Sequence, residues 1–333
     1  MKIGITSSCV ELVRRSGVKI QGIMWRDSLV SLGHEAELIN YWDDVDCSKY
    51  DAVIVLRLGA LMRNAVNDLK NYGVPVISAP IFDPRMSMRL YRLAAKYGHI
   101  GFLHMTNPSY EFREAAKRVS MFLARSEYEK SYLVGAYDVP PEKIRIVPLS
   151  YRIRPAETLP EKEPFCFHVS NLNAWNKNVP RLIEAAKKFG FRLVLGGSVR
   201  GEEGRKQLDE LIAGNMNISY IGQLTDEELR NYYLRAKVFA LPSLWEGVGM
   251  VALEAAACGC EVVLTNQGAP KEYYNGLAGL VDPKSADEIG RAVTERLNMN
   301  STGELMRHIQ ANYSPEHCGE LLAQAVSECV TAG

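Results

Sequence analysis

Short apolar runs recur along this chain, each followed by a turn and then by a stretch with helical spacing. That alternation constrains the fold more than any other feature of the sequence. In the first half, Lys2–Thr6, Ala36–Ile39, Asp51–Leu56, Val74–Ser78 and Met121–Ala124 read as buried strands. In the second half, Phe165–Val169, Phe191–Leu195, Ile218–Gly222, Val238–Leu241 and Glu261–Leu264 read the same way. Helical patterns separate them: a polar loop to Gly22 and then a helix through Leu32, a stretch near Ala60–Tyr72, one over Pro84–Gly98, and another over Val179–Phe189. Ser126 with Glu129, and Thr225 with Glu228, have the spacing of capping boxes that open further helices. Strands that alternate with helices imply α/β domains with parallel sheets, whose ligands sit at the carboxyl ends of the strands.

With 333 residues the chain has room for two such domains. Prolines at 148, 155, 160 and 164 mark a stiffened linker, which places the boundary so that the domains are 1–154 and 155–314. The composition, 47% apolar and 23% charged, is that of a soluble globular protein, and the zero net charge gives no pointer to nucleic acid. The charge is unevenly spread: residues 84–154 are rich in Lys and Arg. Within them Arg85, Arg89, Arg92 and Lys96 sit among Met86, Met88, Leu90, Tyr91 and Leu93. This pattern suits either a half-buried surface helix, the reading preferred here, or a peripheral contact with a membrane. The seven cysteines are scattered, with no C-x-x-C pair, and read as packing residues in a reducing cytoplasm. No signal peptide and no membrane-spanning run is expected, so the predicted location is cytoplasmic, with any membrane contact at the inner face. Asp43-Asp-Val-Asp46 has metal-ligand residue types but no supporting cluster, and reads as a turn.

The stretch from Leu241 to Cys260 carries the chemistry. An apolar strand turns through Pro242 and Gly247 and enters an alanine-rich helix at about Gly249, which stops near Gly259. The free amides and dipole at the start of such a helix favour phosphate, here at Gly249, Met250 and Val251. Glu254 lies one turn further in, and helical side chains lean back toward the N-terminus. Its neighbours are all apolar or small, so a carboxylate there is costly unless it is hydrogen-bonded. The paired hydroxyls of a sugar diol would meet both of its oxygens.

Written as Pro-Ser-x-x-Glu-Gly-x-Gly-x-x-x-x-Glu-Ala-x-Ala-Cys-Gly, this stretch resembles the signature of the retaining glycosyltransferases of family 4 (glycosyl transferases group 1). Their GT-B fold has two Rossmann-like domains facing across a cleft. The likeness is clear over residues 165–283 and weak over 1–150. It implies that the first domain takes the acceptor and the second the nucleotide sugar, and that a last helix at 315–330 crosses back onto the first domain. It also implies Glu246 as the residue that orients the donor sugar and Glu254 as the ribose ligand. Lys177 falls where the family has a diphosphate-binding lysine, whereas Asn171 stands where an arginine is expected. Arg200, Arg205 or another cation would then have to supply the missing charge. The backbone of Gly222 and Gln223 would frame the base, and Ser16-Gly17-Val18, beside Arg14 and Arg15, would close on the phosphates. The family usually carries a histidine after the strand at Val74–Ser78. Here the nearest titratable side chain is Asp83, with His99 and His104 farther along.

The expected activity is transfer of a hexose from a UDP- or GDP-sugar to a saccharide or lipid-linked acceptor, in surface polysaccharide synthesis. It would retain anomeric configuration, need neither metal nor cofactor, and be aided by domain closure that excludes water. Alternatives are a nucleotide-sugar epimerase on the same scaffold and a noncatalytic nucleotide-sugar-binding partner, the latter because the arginine and histidine are missing.

Overall fold

The computed structural model describes residues 1–7, 17–40, 43–57, 62–100 and 105–332. The chain divides into two compact units, one of Met1–Leu149 with Pro315–Gly333 and one of Ser150–Ser314. In the first unit β1 (Lys2–Ser7), β2 (Glu35–Leu38), β3 (Ala52–Leu56) and β4 (Val76–Ala79) lie in one sheet. A small antiparallel hairpin, β5 (His99–Ile100) with β6 (Met105–Thr106), stands apart from it. The main sheet is completed by β7 (Met121–Ala124) and β8 (Ile144–Ile146), in the order β2-β1-β3-β4-β7-β8, with every pair parallel. The wholly apolar strands β3 and β7 are buried along their whole length, which a sheet covered on both faces requires.

The helices of this unit are α1 (Gly17–Ser31), α2 (Met62–Asn71), α3 (Met88–Tyr97), α4 (Pro108–Ala116) and α5 (Glu127–Tyr137). α1 begins at Gly17, so the loop expected to run to Gly22 is helical, at least from Gly17 on. Gly22 serves close packing rather than a turn: a Cβ there would lie 2.9 Å from Leu56 Cδ1 on β3. Ser126 caps α5 by accepting from the Glu129 amide, but Glu129 does not complete the expected capping box. Its carboxylate accepts instead from the amides of Phe82 (2.5 Å) and Arg125 (2.7 Å) and pairs with the buried Arg125 guanidinium.

The second sheet is also parallel throughout, in the order β11-β10-β9-β12-β13-β14. Its strands are β9 (Glu163–Asn171), β10 (Leu193–Ser198), β11 (Ile218–Tyr220), β12 (Ala236–Leu241), β13 (Glu261–Thr265) and β14 (Gly279–Val281). The chain adds α6 (Val179–Phe189), α7 (Gly201–Ile212), α8 (Asp226–Arg235), α9 (Met250–Ala257), α10 (Pro270–Tyr273), α11 (Ala286–Asn298) and α12 (Glu304–Asn312). The Thr225–Glu228 box is present at the start of α8. On one face Leu182, Leu193, Val238, Val263 and Ile289 form the core; Phe167, Tyr233 and Phe239 form an edge-to-face aromatic cluster.

After α12 the chain returns to the first unit as α13 (Pro315–Ala332), which packs on α1 and β3. Leu322 and Val326 are fully buried there with Trp25, Leu29 and Ile54. No helix among the described residues is long and apolar enough to cross a membrane.

Candidate active site

β12 delivers the chain to a turn that long-range contacts hold open. Asn178 adopts a left-handed conformation (φ 58°), and its side-chain amide donates to the carbonyls of Pro242 (2.9 Å) and Pro283 (2.6 Å). Leu244 donates its amide to Asn176 (2.8 Å). Glu246 bridges to Gly268, where the chains pass so close that a Cβ on Gly268 would sit 2.1 Å from the Glu246 carbonyl oxygen. Gly268 also has φ +91°, so glycine is required there for two independent reasons. Gly249, at φ +78°, then sets the start of α9, and its carbonyl takes the amides of Ala252 and Leu253. The amides of Met250 and Val251 are the ones a first turn leaves without an intrahelical partner. At the far end Gly259 (φ +84°) closes the helix, and Lys162 Nζ donates to the Cys258 carbonyl at 2.7 Å, a cation on the negative end of the dipole.

Glu246 and Lys177, far apart in sequence, meet at this turn. Lys177 Nζ donates to Glu246 Oε2 at 2.8 Å, and the Ser243 hydroxyl donates to the same oxygen at 2.9 Å. Among the described residues Oε1 accepts no hydrogen bond. Asn171, at the end of β9, is exposed; beside it Asn173 holds the amide of Arg200 (2.5 Å) at the start of α7. Of the two arginines considered as substitutes for the missing one, Arg205 is engaged elsewhere, paired with Asp209 and lying over the Tyr220 ring. Arg200 is at the carboxyl end of β10, in the same loop cluster as Asn171. Beneath this cluster His168 is fully buried. The Ala240 carbonyl can only accept, so Nδ1 carries the proton (2.7 Å) and Nε2 takes the Ser170 hydroxyl (2.8 Å). Burial pushes the imidazole down to about 4, so it is neutral and ties β9 to β12.

Glu254 is buried, with 1% of its surface exposed. Protein groups, rather than solvent, meet its oxygens: the Tyr233 hydroxyl donates to Oε2 at 3.2 Å, and Arg152 Nε lies 3.4 Å from Oε1. Arg152 also pairs with Asp226 through Nη1. Burial raises the carboxyl to about 7; the charge of Arg152 and the Tyr233 hydrogen bond pull the other way without cancelling it.

Gly222 (φ +84°) gives its carbonyl to the Gly197 amide at 2.8 Å, and Gln223 beside it is exposed. Gly197 is the tightest point of the sheet edge: a Cβ would fall 1.9 Å from the Ser170 carbonyl oxygen. Asp83 belongs to the first unit and is held by the buried Arg125 at 2.7 Å. Gly17 there is the first residue of α1 and has open space around its Cα. Ser16, Arg14, Arg15 and His104 lie outside the described residues; His99 stacks on Tyr110 at 5.0 Å. Sequence reasoning missed Asn178, His168 and Arg152, which have partners remote in sequence, and Ser243, whose partner Glu246 lies three residues on. It also missed a pair of tryptophans beside the Lys177–Glu246 contact. Trp175, 69% exposed, meets Trp245 edge-to-face at 4.3 Å. Adjacency of Trp175 to Lys177 and of Trp245 to Glu246 was the signal available for that pair.

Residues 151–315 match the family model described as Glycosyl transferases group 1. A search of curated proteins finds the O-antigen chain mannosyltransferase B of Escherichia coli, 29% identical over 61% of this chain and 57% of the relative. The match thus spans little more than half the length of that relative. Among solved structures, sucrose-phosphate synthase from Thermosynechococcus elongatus aligns over all of both chains with a TM-score of 0.77 at 16% identity. Anabaena HepE, solved in complex with UDP and glucose, aligns over 98% of this chain and 99% of its own with a TM-score of 0.70 at 14% identity. At such identities the likeness is one of fold, and the fold is GT-B, built on two Rossmann-like domains.

Proposed function

We propose, for a chain that belongs to the glycosyl transferases group 1 family through residues 151–315, that it moves a hexose from a UDP- or GDP-sugar to a saccharide or lipid-linked acceptor, with retention of configuration. The observation that carries this reading is the Lys177–Glu246 contact at 2.8 Å beside the open first turn of α9. When a donor enters, Lys177 exchanges its carboxylate partner for the departing diphosphate, a role that suits a compact ammonium. The Met250 and Val251 amides add fixed dipoles aimed at the same charge, and Arg200 contributes the cation that Asn171 lacks. Glu246, held through Oε2 by Ser243, offers Oε1 to a hydroxyl of the donor sugar and orients the anomeric carbon. Glu254 receives the ribose diol, sharing Oε2 with Tyr233 while the sugar takes Oε1 from Arg152. Gly222 and Gln223 border the base. The charge on the leaving group is met wholly by side chains and amides in this scheme, so it needs no metal or cofactor. An O-antigen mannosyltransferase among the relatives favours a hexose donor and an acceptor of the surface-polysaccharide type.

The reading is tested by incubating the chain with a panel of UDP- and GDP-hexoses and with free and lipid-linked saccharides, and following nucleotide release and product configuration by NMR. Transfer with retention, lost in Lys177→Ala and Glu246→Gln, is the expected result. Donor binding without nucleotide release on any acceptor would point to the noncatalytic alternative. Altered stereochemistry in the free nucleotide sugar would point to an epimerase.

A further inference from the structure

α3 has two apolar stripes, and the fold uses one of them. Met88, Tyr91 and Ala95 face the core: Tyr91 meets Phe82 edge-to-face at 4.9 Å, Met88 packs on Gly135, and Ala95 is fully buried. On the opposite side Leu90, Leu93 and Tyr97 follow one another at the spacing of a single helical face. They are 52%, 55% and 66% exposed, and Met86, just before the helix, is 46% exposed. Single exposed apolar residues are ordinary; an aligned row on a helix that already has a buried face is not. Arg89, Arg92 and Lys96 form a second row along one flank of this stripe, and the helix contains no acidic residue. Arg92 is paired with Asp138 of the α5 cap, and Lys96 lies over the Tyr97 ring at 5.2 Å.

We infer that this outer face of α3 is a docking surface for an anionic lipid bilayer, with Leu90, Leu93 and Tyr97 entering the headgroup boundary and Arg89 and Lys96 meeting lipid phosphates. Charge complementarity selects this occupant. A row of cations beside a narrow apolar stripe matches a surface that is apolar below and negative above. Four side chains cover well short of the ~800 Å² per partner that a stable protein–protein interface buries, so a second copy of the chain is the poorer fit. Tyrosine at the end of the stripe suits the boundary, since its ring is apolar and its hydroxyl is polar. No residue of the donor site lies on this face of α3, so lipid docking is independent of the proposed transfer reaction.

The test is co-sedimentation of the full chain with vesicles of phosphatidylcholine alone and of phosphatidylcholine mixed with phosphatidylglycerol, without donor or acceptor. The bound fraction should be at least about tenfold greater on the anionic vesicles and should fall with added salt. Leu90→Ser with Leu93→Ser, and separately Arg89→Glu with Lys96→Glu, should each abolish that binding while leaving the thermal midpoint unchanged, because all four side chains are exposed. Equal binding to both vesicle types, no binding by the wild-type chain, or variants that bind as well as wild type would overturn the inference. So would a dimer in sedimentation velocity that the double serine variant converts to monomer, for then a second copy covers the stripe.

Discussion

Glu254 shows at the scale of one residue how burial and the proposed ribose contact pull on the same proton. Its carboxyl is raised from 4.5 to about 7. Between those values the folded chain keeps a proton that the unfolded chain has released, so stability contributed by this group is full below about pH 4.5 and falls as pH rises toward 7. The change is on the order of 3 kcal/mol across that window, and Glu254→Gln should remove it from the pH dependence of denaturant unfolding. Binding runs the other way. Only the carboxylate accepts from both ribose hydroxyls, so affinity for UDP or GDP should rise about tenfold between about pH 6 and about pH 8 in wild type and stay flat in Glu254→Gln. Calorimetric titration at the two pH values decides it; a flat wild-type profile would remove Glu254 from the ribose. For Lys177→Ala, turnover should fall by about two to three orders of magnitude, as for loss of one preorganised donor to a developing charge. Steady-state kinetics that show only a weaker KM would assign Lys177 to ground-state binding instead.

At the scale of elements, glycines decide where two loops can meet. Gly268→Ala must move either the 266–270 turn or the Glu246 backbone, because its Cβ would fall 2.1 Å from that carbonyl in a left-handed conformation. We expect a loss of about 1–3 kcal/mol in unfolding free energy, with activity falling well beyond it because Glu246 is displaced; activity tracking folded fraction alone would refute the second part. Local pattern was a good guide wherever the contacts were local. The Thr225–Glu228 box and the 250–257 helix with its closing Gly259 could be read directly, since their determinants lie within a few residues of one another. Ser126–Glu129 has the same spacing, but Phe82 and Arg125 capture the glutamate. Gly22 looked like loop punctuation and is in fact where a helix touches a strand. α3 could not be resolved from its pattern, because a helix with two opposed apolar stripes has the same period whichever stripe the core takes.

At the scale of the whole molecule, the C-terminal helix is a component of the first unit. Leu322 is fully buried against Leu29 and Ile54, so Leu322→Ala should cost about 2–5 kcal/mol there. Hydrogen exchange locates the loss: protection should drop across residues 1–149, including β1 and β3, and persist across 150–314. A uniform drop in both units would show that they unfold as one, contrary to their separate cores.

The alternation of strands with helices, the parallel sheets and the residue types at 241–260 followed from sequence alone, because periodicity and turn chemistry are properties of neighbouring residues. Tertiary structure alone decided which groups met: that Tyr233 and Arg152 receive Glu254, that Ser243 and Lys177 share one oxygen of Glu246, and that His168 is neutral. Those outcomes depend on distance, burial and side-chain orientation, and apart from Ser243, three residues from Glu246, the groups that meet are separated by tens of residues, which no local spacing encodes.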